Sequence, residues 1–281
     1  MNTKNIRQIH ALFFSPTGTT ERAARVLSES LGNLLKIPVN MIDFTLPAAR
    51  QTDYDFTARD LLIAASPTYA GKLPNKIMPD WKARIHGGHT PAVPVVTFGN
   101  RSFDNALAEF ARILSDNGFD IVAAAACVSR HAFTDHLGAG RPDWNDRQEL
   151  QNFAASAAEK IKSFDGNPES ELSILSKIPG DPDAPYYIPK DINHQPAKFL
   201  KAKPITDLSK CSQCGVCVRR CPMGAIDPRN ISNITGICIK CQSCIRHCTR
   251  RAKYFDDPAF LSHVAMLEQN FQEAKRNQFF I

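Results

Sequence analysis

No stretch of this chain is long and apolar enough to span a bilayer. The best run, Ile121 to Val128, is eight residues and half alanine, which suits a buried strand. The first ten residues hold no apolar h-region, so no secretory signal is expected and a cytoplasmic location follows. Several catalytic signatures are also missing: no Gly-x-Gly-x-x-Gly turn, no phosphate loop ending in Lys, and no Ser/His/Asp or metal-binding His arrangement. Oxidation of a nicotinamide cofactor therefore has no support. What the chain does have is nine cysteines, and eight of them fall between Cys211 and Cys248.

Those eight repeat one spacing. Cys211-x-x-Cys214-x-x-Cys217-x-x-x-Cys221-Pro222 is followed by Cys238-x-x-Cys241-x-x-Cys244-x-x-x-Cys248-Thr249. In a reducing compartment such a cluster favours metal over disulfides. Two consecutive runs of four are not a zinc pattern, whereas a [4Fe–4S] cubane needs four thiolates. The two-residue spacers aim three sulfurs at one cluster, and the fourth Cys of each run reaches the other. The expected sets are Cys211, Cys214, Cys217 and Cys248 for one centre, and Cys238, Cys241, Cys244 and Cys221 for the second. The segment resembles the bacterial-type two-cluster ferredoxins over roughly 50 residues, departing where Thr249 replaces the usual Pro. The ninth, Cys127, reads as an inert buried thiol.

The formal net charge is +6, and residues 206–256 carry nine Lys or Arg against three Asp. The simplest reading is compensation of two anionic clusters. Arg219, Arg220, Arg246, Arg250 and Arg251 are also placed to raise cluster potential and guide an acidic soluble redox partner. The basic residues interleave with ligands rather than exposed aromatics, which argues against nucleic acid.

Upstream, the pattern alternates strand and helix. Strands are expected at Ile9–Phe14, Val39–Phe44, Leu61–Ala65, Val93–Phe98 and Asp120–Val128. Helices are expected after residue 20, within Pro74–Ile85, over Phe103–Asn117 and over Asp146–Phe164 behind an Asp cap. This predicts an α/β fold with a five-stranded parallel sheet covered on both faces, followed by a small α+β cysteine module. The boundaries read 1–165, a Pro-rich connector 166–204 that wraps one of the domains, 205–257 for the cysteine module, and a helical tail 258–281. In the tail, Leu261, Val264, Leu267 and Phe271 are expected on one face.

Between the first strand and first helix lies Ser15-Pro16-Thr17-Gly18-Thr19-Thr20. It offers backbone N–H groups, hydroxyls and a helix N-terminus to a monophosphate without a cation. Taken alone it is equally an ordinary Ser/Thr helix cap. Two further glycine-containing loops with aromatics, Ser66 to Pro74 and Gly99 to Asp104, follow the third and fourth strands, where open parallel sheets bind ligands. Each aromatic alone is as well explained by local packing.

Together the three loops resemble the flavodoxin-like family, and the whole chain resembles the flavodoxin–ferredoxin fusion proteins of anaerobes. The resemblance implies FMN. It carries the phosphate role onto Ser15, Thr17, Gly18, Thr19 and Thr20, and places Pro67, Thr68, Tyr69, Ala70, Gly71, Phe98, Gly99, Asn100 and Arg101 around the ring, with Tyr69 first for ring contact. His131, Asp135 and His136, after the fifth strand, are candidate proton donors or members of a solvated loop. The expected function is relay of single electrons through two [4Fe–4S] clusters to or from FMN. The alternatives are an FMN-dependent reductase of a small organic substrate, and a regulatory module that has lost FMN.

Overall fold

The computed structural model describes residues 6–163 and 174–281. The first part of the connector, including Pro168, and the predicted helix end at Phe164 lie outside the described residues.

Eleven strands and seven helices are named here among the described residues. The order is β1 (Gln8–Phe13), α1 (Thr19–Leu35), β2 (Val39–Asp43), β3 (Tyr54–Thr57), β4 (Asp60–Pro67), α2 (Met78–Arg84), β5 (Ile85–Gly88), β6 (Thr90–Phe98), α3 (Ala106–Asp116), β7 (Phe119–Ile121), β8 (Ala124–Val128) and α4 (Trp144–Ser163). Then come β9 (Ile205–Thr206), α5 (Val216–Arg219), α6 (Ser243–Arg246), β10 (Lys253–Tyr254), α7 (Pro258–Asn270) and β11 (Gln278–Phe280). The main sheet runs β11-β8-β6-β4-β1-β2. Its five parallel strands are the five expected ones, in the order 2-1-3-4-5 of flavodoxin-like doubly wound sheets. The fold is thus α/β with a small C-terminal cysteine module.

Alternation along the strands supplies both cores. Leu12, Leu62, Ala64 and Val96 face α2 and α3, while Ala11, Ile63, Val95 and Ala125 face α1 and α4. The fifth strand splits into β7 and β8 for a local reason. Pro94, inside the buried β6, has no N–H to offer, and the neighbouring strand pairs with β6 only at Thr90–Ala92 and from Val95 onward.

The tail differs from expectation. α7 buries Phe260, His263, Met266 and Leu267, and Leu261 points outward. The residues beyond it form β11, which pairs antiparallel with β8 through Gln278↔Ala126 and Phe280↔Ala124. Phe279 stacks on Phe153 of α4 at 4.8 Å. The chain therefore returns to the sheet after the cysteine module, a long-range closure that helical periodicity cannot reveal.

Asp146, in the first turn of α4, anchors that return. Its carboxylate pairs with Arg141 and accepts from the Asn277 side chain at 2.8 Å. Asp143 is the cap behind the helix, its Oδ1 accepting from the Asp146 N–H at 3.0 Å. Burial alone would raise the Asp146 pKa, but the bonds from Arg141, Asp143 and Asn277 outweigh it and hold the group below its ordinary 3.8. A lowered carboxylate stabilises the fold above its unfolded value, and that contribution disappears as pH falls through the folded value. Urea unfolding should therefore show Asp146→Asn less stable at neutral pH, with the gap from wild type narrowing below about pH 4.

Candidate functional site

The cysteine module is built from two copies of one backbone path. Left-handed residues occur two and four positions after the first Cys of each run: Gln213 and Gly215 in the first, Lys240 and Gln242 in the second. A third pair, Gly224 and Arg251, follows the last Cys of each run by three. α5 and α6 occupy equivalent positions, and β9 pairs with β10 to bring the module's ends together. These turns curl the chain so that successive thiols converge.

The thiols gather in two sets. Cys211, Cys214, Cys217 and Cys248 line one cavity, and Cys221, Cys238, Cys241 and Cys244 line another. Each set takes three residues from one run and the fourth from the other. Backbone N–H groups point at sulfur: Gln213 to Cys211 at 3.4 Å, Ala225 to Cys221 at 3.3 Å and Ala252 to Cys248 at 3.2 Å. Among the described residues no three ligands converge on a point fit for a single ion. Four soft thiol donors around a cavity suit an iron–sulfur cluster. Cys127 is buried in β8, and burial pushes its thiol up to about 12, far from any nucleophilic role.

A larger cavity of about 500 Å³ lies at the carboxyl ends of the parallel strands. The loops after β1, β4, β6 and β8 all reach it. Of the residues named from sequence, Thr17, Thr19, Thr20, Pro67, Thr68, Tyr69, Ala70, Gly71, Gly99, Arg101 and His131 line it. Gly18 opens α1 with φ +85° and no side-chain cap of its own, leaving the Thr19 and Thr20 N–H groups to a ligand. Ser15 has a cap-like contact of its own: its Oγ accepts from the Glu21 N–H at 2.9 Å, which leaves its O–H free to donate. The Thr20 hydroxyl bonds Thr97 at 2.7 Å. Thr68 Oγ1 is buried with no hydrogen-bond partner, an orphan on the cavity wall that a polar ligand edge would satisfy. A phosphate end without a carboxylate and an orphaned hydroxyl further in are features that fit FMN.

Four named residues sit elsewhere. Phe98 is buried against Phe103. Asn100 holds the C-terminal segment, donating to the Phe271 and Glu273 carbonyls and accepting from the Lys275 N–H. Asp135 is exposed and paired with Arg130 and Arg246, and His136 is exposed off the cavity. The glycines at the cavity also let its loops pack on one another. A Cβ on Gly99 would meet the His131 ring at 2.4 Å, and one on Gly71 would meet Asp104 at 2.4 Å, so both positions permit loop-on-loop packing.

Much of the cavity wall was not legible in the sequence. Tyr186, Tyr187 and Pro189 come from the connector, Ile237 to Lys240 from the cysteine module, and His263 and Leu267 from α7. The connector is held by hydrogen bonds from Tyr187 N–H to Ala70 and from Tyr186 Oη to Leu73, both 2.8 Å. Arg101 stacks over the Tyr187 ring at 4.0 Å. Cys238 lines both the large cavity and the second cysteine cavity. Tyr69 stands at the same junction: burial first, then the nearby Cys241 and Cys238, raise its phenol well above the usual range.

Two arginines fasten the module here. Arg50, buried beside Asp80, donates to the Pro222 carbonyl at 2.5 Å, and Arg246 donates to the Ala132 carbonyl at 3.0 Å. Arg246 thus ties the module to the loop after β8, instead of lying free to guide a partner.

Residues 204–227 match the family model described as 4Fe-4S binding domain, so the chain carries an iron–sulfur binding segment. Among curated proteins none matches this chain. Solved structures similar to it include a flavodoxin from Archaea at 16% identity and TM-score 0.39, covering 55% of this chain and 99% of that one. Flavodoxin 2 from Bacillus cereus is 18% identical at TM-score 0.39, covering 55% and 99%. The Flv1 flavodiiron core from Synechocystis is 14% identical at TM-score 0.40, covering 57% of this chain and 37% of that one. No helix among the described residues is long and apolar enough to cross a membrane.

Proposed function

We propose that the chain is a flavodoxin–ferredoxin fusion of the cytoplasm. It relays single electrons between a soluble redox protein and FMN, through two [4Fe–4S] clusters. The observation that carries this reading is the shared wall: Cys238 borders both the second cysteine cavity and the large cavity at the strand ends. The proposed division is 1–165 for the flavin domain, 166–204 for the connector, 205–257 for the cluster module and 258–281 for the tail.

Bound FMN would supply the exchange between one-electron and two-electron chemistry. The residues that would hold it are Thr17 to Thr20 at the phosphate, with Ser15 donating, and Thr68, Tyr69, Ala70 and Arg101 at the ring. The Cys221, Cys238, Cys241 and Cys244 set would then be the proximal centre, with Tyr69 on the wall it shares with the large cavity. The Cys211, Cys214, Cys217 and Cys248 set is distal. Cys214 is exposed, which makes the distal set the docking end for a protein partner, beside Arg219 and Arg250.

Of the three candidate proton donors named from sequence, His131 lines the cavity. Its Nδ1 accepts from the Phe133 N–H at 3.1 Å, which puts the ring proton on Nε2. Burial, reinforced by His263, Arg101 and Arg246, lowers its pKa to about 3. It is therefore a neutral hydrogen-bond donor across the working range and not a proton source.

Anaerobic purification with iron, sulfide and acid-released flavin measured on one sample tests the proposal. About eight iron, eight sulfide and one FMN per chain are expected. Eight iron without flavin, even after reconstitution, would refute the flavin half and leave the cluster half standing.

A further inference from the structure

An electron carrier that meets proteins at its flavin would need an open flavin edge. Here the large cavity is walled by the connector, the cysteine module and α7 as well as by the sheet loops. The added wall is chiefly apolar, from Pro189, Phe199, Ile239 and Leu267. Its rim carries large apolar side chains beside the exposed Asn75 and Lys76. Leu200 is 92% exposed and Ile237 57% exposed, yet both line the cavity, so they stand where it opens to solvent. Large apolar side chains kept at an opening favour entry of an apolar ligand.

The polar groups narrow the class. Among the described residues no Asp or Glu lines the cavity, so a cationic ligand would find no counter-charge from them. One donor is held ready. The Phe133 N–H bond to His131 Nδ1 orients the imidazole and leaves Nε2–H unpartnered among the described residues. Gly99 makes the seat possible, since any side chain at that position would collide with the imidazole. The donor thus sits on the loop packed against Gly99. Of the cations on the same wall, Arg101 is paired with Asp104, Arg130 with Asp135, and Lys240 donates to the Leu200 carbonyl, while Lys76 is exposed, so the added wall stays chiefly apolar.

We propose that this chamber binds, beside the flavin, a small, planar, mainly apolar carbonyl compound that enters past Leu200 and Ile237 and accepts a hydrogen bond from His131 Nε2–H. The proposal rests on the flavin reading above and assigns the partner at that end: a small molecule meets the flavin, and a protein meets the distal cysteine set.

Menadione serves as the probe, measured by equilibrium dialysis against the anaerobically purified, oxidised full chain, so that no electrons pass during the measurement. FMN is quantified on the same samples. Wild type should bind close to one menadione per chain with saturation. His131→Phe, which loses the donor, and Leu200→Glu, which places a charge at an exposed rim site without disturbing the core, should each weaken binding roughly tenfold. Leu34→Glu, an exposed apolar site on α1, should leave binding unchanged. Saturable binding that is equally strong in all three variants overturns the proposal, because the probe then sits elsewhere. Absence of saturable binding in protein that retains FMN overturns it while leaving the flavin reading intact. Absence of FMN after reconstitution overturns both.

Discussion

Replacing Cys241 with Ala is expected to halve the iron and sulfide, from about eight of each to about four, while FMN stays bound. The flavin should then no longer be reducible by a one-electron donor protein, although photochemical reduction should still work. Cys241 is buried and belongs to the cysteine set that shares its wall with the large cavity. The groups that would hold FMN come instead from loops after β1, β4 and β6. Cys214→Ala is the informative contrast. It should also halve the iron, but it empties the exposed distal set and leaves the proximal set in place. Flavin emission separates the two variants: it should rise in Cys241→Ala, where the neighbouring quencher is lost, and stay low in Cys214→Ala. Equal emission in both would mean that the two sets are not ordered along a path to the cavity. Loss of FMN from Cys241→Ala would mean that Cys238 to Lys240 are part of the flavin site and not merely its far wall.

Lys72→Met should be among the most destabilising single changes in the chain. Lys72 and Glu109 form a buried ion pair at 3.1 Å, and Lys72 Nζ also donates to the Pro182 and Ala184 carbonyls, both at 2.8 Å. Glu109 in turn accepts from the Leu73 N–H at 2.7 Å. Removing the ammonium leaves a buried carboxylate with one backbone donor, at a cost of about 3–5 kcal/mol. For a chain of this size that corresponds to a drop in Tm on the order of 10 °C. The same change frees the connector, so limited proteolysis near residues 182–187 should speed up before the melt begins. Lys72→Met combined with Glu109→Gln should recover much of the stability, because the unpaired charge is then gone. It should not recover protease resistance, because the two connector carbonyls still lack their donor. A single variant as stable as wild type would show that the pair is incidental to the fold.

The legible parts of this protein are those governed by local chemistry. Four thiolates per cubane and the reach of a two-residue spacer make the cysteine runs readable, and in the structure the eight thiols line two small cavities. The central parallel strands were equally plain, because β4, β6 and β8, buried on both faces, read as continuous apolar runs. The order in which they pair follows from handedness and short connections. The loop from Ser15 to Thr20 was readable as a strand-to-helix turn, because small and hydroxyl residues before a helix either cap its N–H groups or leave them open.

The missed parts depend on distant segments meeting. Asn100 follows a strand at the ligand-binding edge and so looked like a ring contact, but the returning C-terminal segment claims its side chain. Arg246 looked like a free guide for a partner, but the loop after β8 supplies carbonyls and Asp135 to hold it. Leu261 fitted the helical period of the tail, yet the surface that α7 covers is set by the connector and the Phe133 loop, which turns the buried face to Phe260 and His263. The split of the fifth strand sits midway between these cases, since Pro94 was visible but its effect falls on a neighbouring strand. By itself, then, the sequence determined the five parallel strands with their main helices, the two cysteine runs and the loop after β1, because each is written in residues a few positions apart. Only the tertiary structure decided which quartet borders the cavity, what roofs it and where the tail ends, because those are contacts between segments whose separation leaves no periodic trace.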